Sequence, residues 1–363
     1  MEKLWTEGKI GAMTVKNRTV RSATNDHLAT REGELTEAWL ENYEALAAGG
    51  VGLIITGQFS MDATQRADEG QPILTADMEE EMLKRSCEIL RRTCERVHNH
   101  GAKLVVQLSH TGIKAPESVN GRPPKAPADF TKGELKELVD AFAFGAKTCM
   151  DCGVDGVQVH MAHGYLLSSF VDLNQNARTD EYGGSLENRY RICGEIIRAV
   201  CSACGTDYPV LVKVDSNGSG DLPALLRMCK ADGVDCAEVS GLDFAVRKRG
   251  EEPFYLTDVV SAREGIDLPI CLVGGVHDLT AACKVMDAGI EFAAFARPLI
   301  CQPDLIAKME AGEQECSACV ACNGCFKVYR QRYVRCVLHE SPSHSWSRFL
   351  EKNNFRKPLA ISE

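Results

Sequence analysis

A chain of 363 residues with a net charge of -10, 44% hydrophobic and 25% charged, has an ordinary globular composition and ample length for a large core. Its acidity argues against nucleic acid and against an anionic membrane surface as partners. The polar N-terminus MEKLWTEGKIGAMTVKNR lacks a secretory apolar region, and no stretch approaches the roughly 18 apolar residues of a membrane span. The 17 cysteines are therefore expected as thiols or metal ligands in a reducing cytoplasm.

Short apolar runs read as strands in chain order at Asn17–Thr24, Gly52–Gln58, Lys103–His110, Gly156–His163, Pro209–Ser216, Cys236–Gly241, Pro269–Gly275 and Phe292–Pro298. Charged amphipathic segments lie between them. Met78–His100 and Leu135–Cys152 have apolar residues three and four apart and read as helices; Ser185, before a carboxylate-bearing turn, suits a helix N-cap. Eight strand–helix units predict an α/β fold, a (β/α)8 TIM barrel, over 1–312. The remainder, 313–363, is expected to be a cysteine-rich segment and an irregular polar tail packed on the barrel. A doubly wound open sheet would want a G-x-G-x-x-G fingerprint, and the sequence has none.

In such a barrel the active site lies at the C-terminal ends of the strands. Polar groups gather there: Ser22, Ala23 and Thr24; Gly57 and Gln58; Gln107 and His110; His160, His163 and Tyr165; Lys213; Gly274 and Gly275; Ala296 and Arg297. Any one of them alone is readily structural. Together they are harder to dismiss, because burying many unpaired polar groups at one end is costly. Gly274 and Gly275 allow close backbone approach, and Arg297 offers a phosphate fork. Gln107 suits a heterocycle edge, and Lys213 suits negative charge upon it. A phosphate at one side and a polar heterocycle over the centre describe a mononucleotide, and FMN fits.

The stretch HMAHGYLLSSFVDLNQNARTDEYGGSLENRYR, His160–Arg191, is similar to the H-x-A-[HN]-G-Y-L-L and R-T-D-E-Y-G-G-S-x-E-N-R pattern of the old yellow enzymes. That resemblance extends over nearly the whole chain. It implies an FMN-dependent ene-reductase in which hydride passes from flavin N5 to the β-carbon of an α,β-unsaturated carbonyl compound. It further implies that His160 and His163 hydrogen-bond the carbonyl oxygen and that Tyr165 protonates the α-carbon. A tyrosine hydroxyl, with an ordinary pKa of about 10, holds its proton at neutral pH. Gly164 is expected to let the chain turn so that histidines and tyrosine face one cavity. Carried over by motif, the FMN contacts fall on Ser22, Ala23, Thr24, Gly57, Gln107, Lys213, Gly275, Ala296 and Arg297. Lys213 stands where many relatives have arginine, Ala296 where glycine is frequent, and Asn25 where a threonine or cysteine tunes the flavin. The resemblance implies NAD(P)H or a reduced electron carrier as electron donor and an enone or enoate as substrate. The loops Thr111–Ala126 and Leu242–Glu252 are expected to shape the substrate pocket. A homo-oligomer is compatible with the sequence.

After the eighth strand, CSACVACNGCFKVYRQRYVRC puts Cys316, Cys319, Cys322 and Cys325 three residues apart, followed by Cys336. Thiolates so spaced can wrap one inorganic centre, a [4Fe-4S] cluster or zinc. The segment resembles that of 2,4-dienoyl-CoA reductase and trimethylamine dehydrogenase, which implies Cys319, Cys322, Cys325 and Cys336 as cluster ligands and Cys316 as a spare. Cys201 and Cys204, in a predicted helix, read as structural. Two other functions stay open at this point: an amine dehydrogenase or demethylase of the trimethylamine dehydrogenase type, which the His–His–Tyr set suits poorly, and a non-redox barrel lyase or synthase, for which Lys213 is the one Schiff-base candidate.

Overall fold

The computed structural model describes residues 2–218, 221–247, 251–328 and 333–337. Two strands, β1 (Gly8–Ile10) and β2 (Met13–Val15), pair as an antiparallel hairpin. Eight more follow: β3 (Thr19–Arg21), β4 (Leu53–Ser60), β5 (Lys103–Ser109), β6 (Gly156–Met161), β7 (Val210–Asp215), β8 (Cys236–Ser240), β9 (Ile270–Val273) and β10 (Phe292–Phe295). They pair in parallel in chain order, and β10 closes on β3. The fold is a (β/α)8 TIM barrel. Each predicted strand overlaps one of these eight.

The strands read as continuous apolar runs because both their faces are covered. Outward-facing residues such as Ile54, Val106, Val157 and Val212 join the helix layer in one large core. A smaller second core fills the lower barrel with Val20, Leu53, Ile55, Val105, Leu211 and Phe292, and β1 and β2 plug it with Ile10, Met13 and Val15. That hairpin was not foreseen; two three-residue strands are too short to show a period.

The two amphipathic helices span Glu80–Asn99 and Lys132–Asp151. Thr131 and Glu134 close a capping box on the second. Ser185 caps the helix Leu186–Cys204 by accepting from the Asn188 N–H, and Cys201 and Cys204 lie in its last turn. No helix among the described residues is long and apolar enough to cross a membrane. The expected irregular tail, from His339 onward, lies outside the described residues.

Candidate functional site

Apolar packing stops halfway up the barrel. Above it the interior is polar, and the C-terminal mouth opens into a cavity of about 460 Å³. That volume suits a cofactor or small ligand. Its wall includes Ser22, Ala23, Thr24, Gln107, His160, His163, Tyr165, Lys213, Gly274, Gly275, Ala296 and Arg297. Of the residues expected around it, Gly57 and His110 are missing. A bulge between Ile55 and Gln58 turns Gln58 to the cavity instead. Gly57 lies behind the 24–26 backbone, where a Cβ would come within 2.9 Å of the Thr24 carbonyl oxygen.

His160 belongs to β6, and the chain then reverses. His163 and Gly164 both adopt left-handed backbone, with φ of 64° and 69°. This turn sends Tyr165 back over the strand end, so that its ring centroid is 4.8 Å from that of His160, while the two imidazole centroids are 5.5 Å apart. Left-handed backbone is strained for histidine, and three other βα units hold it. Asp215 Oδ2, at the end of β7, accepts the His163 N–H at 2.6 Å. Lys114, after β5, donates to the His163 carbonyl oxygen. Ser240 Oγ, ending β8, lies 2.9 Å from His163 Nε2.

Burial, helped by the nearby Lys213 and Lys114, drives His163 down to about 3. His160 falls well below its ordinary value, first through burial and then through His163 and the two lysines. Both imidazoles are therefore neutral at neutral pH, and each carries one N–H to donate. Burial acts oppositely on Asp215, raising it to about 6. Gln58 Nε2 donates to the Tyr165 hydroxyl oxygen at 3.1 Å.

Beneath these groups a buried polar chain crosses the barrel. Gln107 Nε2 donates to Gln158 Oε1 at 2.7 Å, and Gln158 Nε2 to Glu238 Oε2 at 2.9 Å. Lys213 Nζ lies 3.2 Å from Glu238 Oε2 and donates to Ser22 Oγ at 2.9 Å. On the far side Gly274 and Gly275 have φ of 139° and 75°. A Cβ on Gly274 would meet the Tyr255 ring at 2.6 Å, so glycine is needed for backbone to line the cavity there. Arg297 Nη1 donates to Asn323 Oδ1 at 2.5 Å.

Lys114 and Pro116 from the loop after β5, and Phe244 from that after β8, line the cavity, as the two loops were expected to do. Gln58 was placed on the rim from sequence but given no role, and Lys114, Asp215, Ser240, Gln158 and Glu238 were not selected. Asp215 and Ser240 are polar strand-end residues that the rim rule could have found; Lys114 carried no signal.

The cysteine segment crosses the mouth. Phe326 and Val334 line the cavity, and Phe244 stacks between His163 and Phe326 at 5.9 and 5.7 Å. Cys319 and Cys325 are buried, Cys322 and Cys316 exposed and Cys336 half-buried. The thiols of Cys319, Cys322 and Cys325 lie within electrostatic reach of one another, and Cys336 reaches Cys319 while hydrogen-bonding to Cys301, a residue not expected there. Among the described residues no three His, Cys, Asp or Glu side chains are grouped to hold a metal ion. The donor chemistry suits a thiolate-bound centre, but the expected site is not assembled.

The family model described as NADH:flavin oxidoreductase / NADH oxidase matches residues 3–315. The NADH oxidase of Thermoanaerobacter brockii is 29% identical over 369 residues, covering 93% of this chain and 56% of that protein. A solved complex of 2-naphthoyl-CoA reductase with 2-naphthoyl-CoA superposes with a TM-score of 0.85 at 25% identity, over 93% of this chain and 57% of that one. The old yellow enzyme homologue from Zymomonas mobilis shares the fold, with a TM-score of 0.77 at 23% identity over 92% of this chain and 97% of that one. The chain thus spans little more than half the length of the first two.

Proposed function

The chain belongs to the NADH:flavin oxidoreductase / NADH oxidase family, the family of the old yellow enzymes, and from that premise we propose that it is an FMN-dependent reductase of the C=C bond of α,β-unsaturated carbonyl compounds. One observation carries the reading. Two neutral imidazoles and a tyrosine hydroxyl face one cavity above a buried lysine.

The cavity suits FMN. Gln107 and Lys213 supply polar groups for the ring system. Ser22, Ala23 and Thr24 supply backbone beside it. Gly274, Gly275, Ala296 and Arg297 supply a phosphate cradle with one fixed cation. Bound there, FMN supplies the electron pair that reduces the alkene. The chain's own residues do the rest. His160 and His163 donate N–H to the substrate's carbonyl oxygen. Because those donors are fixed before charge develops, they stabilise the growing oxyanion at little cost in reorganisation. Tyr165 gives a proton to the α-carbon. The amide of Gln58, already donating to the tyrosine oxygen, stabilises the phenolate that remains. NAD(P)H or a reduced carrier protein restores the electrons.

The reading extends to the cysteine segment, where Cys319, Cys322, Cys325 and Cys336 offer four thiolates to one [4Fe-4S] cluster, with zinc as the alternative. Spacing and the mutual proximity of three of the thiols support it. No step above depends on it.

The deciding experiment is an anaerobic spectrum of the purified protein, identification of the flavin released by acid, and mixing of the reduced protein with enones and enoates. FMN and alkene-dependent reoxidation are expected. A colourless protein, or a reduced flavin that no activated alkene reoxidises, refutes the proposal.

A further inference from the structure

The polar chain across the upper barrel contains one charged group the reaction above does not use. Glu238 is fully buried on β8, between the apolar residues Ala237 and Val239. Its register partner on β7 is Lys213, whose own partner on β6 is His160. Residues paired across parallel strands share a face, so all three point into the barrel. Glu238 Oε2 takes both Lys213 Nζ at 3.2 Å and Gln158 Nε2 at 2.9 Å. Glu238 Oε1 has no hydrogen-bond partner among the described residues. A carboxylate in such a site is costly, and an apolar residue would serve packing better.

We propose that Glu238 is a positioning residue that acts through Lys213 to hold down the reduction potential of the FMN, an inference that rests on the flavin reading above. Reduced flavin carries negative charge near N1, and oxidised flavin does not. A bare lysine cation facing the ring would therefore favour the reduced form. Here the cation and the carboxylate lie 3.2 Å apart with no solvent between them, and at cavity distances their fields largely cancel. The pair presents little net charge, although Lys213 still orients its N–H groups on the cavity side and toward Ser22. The bound flavin stays a stronger reductant than a lone lysine would leave it. Gln158 helps by fixing the carboxylate, and it ties this pair to Gln107 on the next strand but one.

The test is the midpoint potential of the FMN-loaded protein, measured by anaerobic dye-linked titration. Glu238→Gln removes the charge but keeps the shape. It is expected to shift the preference for reduced over oxidised FMN at least tenfold, which for a two-electron couple is about 30 mV upward. The double variant Glu238→Gln with Lys213→Met restores neutrality without burying an unpaired charge. It is expected to return close to the wild-type potential; if the single variant does not fold, Glu238→Asp carries the test. Glu238→Asp, whose shorter arm draws the carboxylate from Lys213, should fall between wild type and Glu238→Gln. Flavin-loaded variants with one common potential, or a downward shift in Glu238→Gln, overturn the role of Glu238 and leave the flavin reading standing. A wild-type protein that holds no FMN overturns that reading, and this inference with it.

Discussion

Tyr165→Phe removes a single oxygen and keeps the ring against His160, whose centroid lies 4.8 Å away. Two things are lost with that oxygen: the proposed acid, and the acceptor for Gln58 Nε2 at 3.1 Å. Loss of a general acid costs roughly 10²–10⁴-fold in rate, about 3–5 kcal/mol of barrier. The second loss acts on the fold. Gln58 is buried and its Oε1 already has no hydrogen-bond partner among the described residues, so stranding the amide should destabilise the protein by about 1–3 kcal/mol. Adding Gln58→Leu removes both polar partners and should recover much of the stability but none of the rate. Anaerobic stopped-flow separates the half-reactions. Flavin reduction by NAD(P)H or dithionite and the binding of phenols, which report on the histidines, should be unchanged within a few-fold. Reoxidation by an enone should slow by the full factor. Wild-type reoxidation in Tyr165→Phe would mean that the proton comes from water or another residue.

Arg297→Ala should raise the Kd for FMN about 10- to 100-fold, since a charge-assisted contact is worth roughly 1.5–3 kcal/mol; undiminished flavin retention on ultrafiltration would remove Arg297 from the phosphate cradle. Asp215 should govern an acid limb. Burial raises its carboxyl to about 6, so below that pH it loses charge and its hold on the His163 N–H, with Lys213 from its own strand, Lys114, the Ser168 hydroxyl and Tyr255 around it. Alkene reduction should fall below about pH 6 in wild type and not in Asp215→Asn. Because this folded carboxyl binds its proton more tightly than an ordinary aspartate, near 3.8, its ionisation costs stability as pH rises from about 4 to about 6. Asp215→Asn should therefore raise Tm above pH 6 more than below pH 4, and an equal gain at both would contradict the assignment. Anaerobic analysis should find about four iron and four sulfide per chain if Cys319, Cys322, Cys325 and Cys336 close on a cluster; one zinc without iron selects zinc, and no metal refutes both.

The barrel was legible because a parallel sheet buried on both faces writes each strand as an apolar run. For β6, the run Gly156–Met161 lies wholly inside the predicted Gly156–His163. The histidines and tyrosine were legible for a related reason: they lie within six residues of one another, so spacing alone brings them to one turn. What escaped is held between units. His163 is fixed by Lys114, Asp215 and Ser240, 49, 52 and 77 residues away in sequence. Each of these meets it only after the barrel has closed. Gly57 fails as a cavity residue for the same kind of reason, since a bulge in the β4–β5 pairing, invisible in GLIITGQ, passes that position to Gln58. The partner of Lys213 was not identified from sequence because Glu238 is 25 residues on, and only the β7–β8 register makes them neighbours. The groups of the proposed chemistry are thus written within single strand–helix units. Their adjustment, through the neutrality of the histidines, the hold on their backbone and the net charge beneath the cavity, arises at the seams between units, where one strand's register against the next decides which side chains meet.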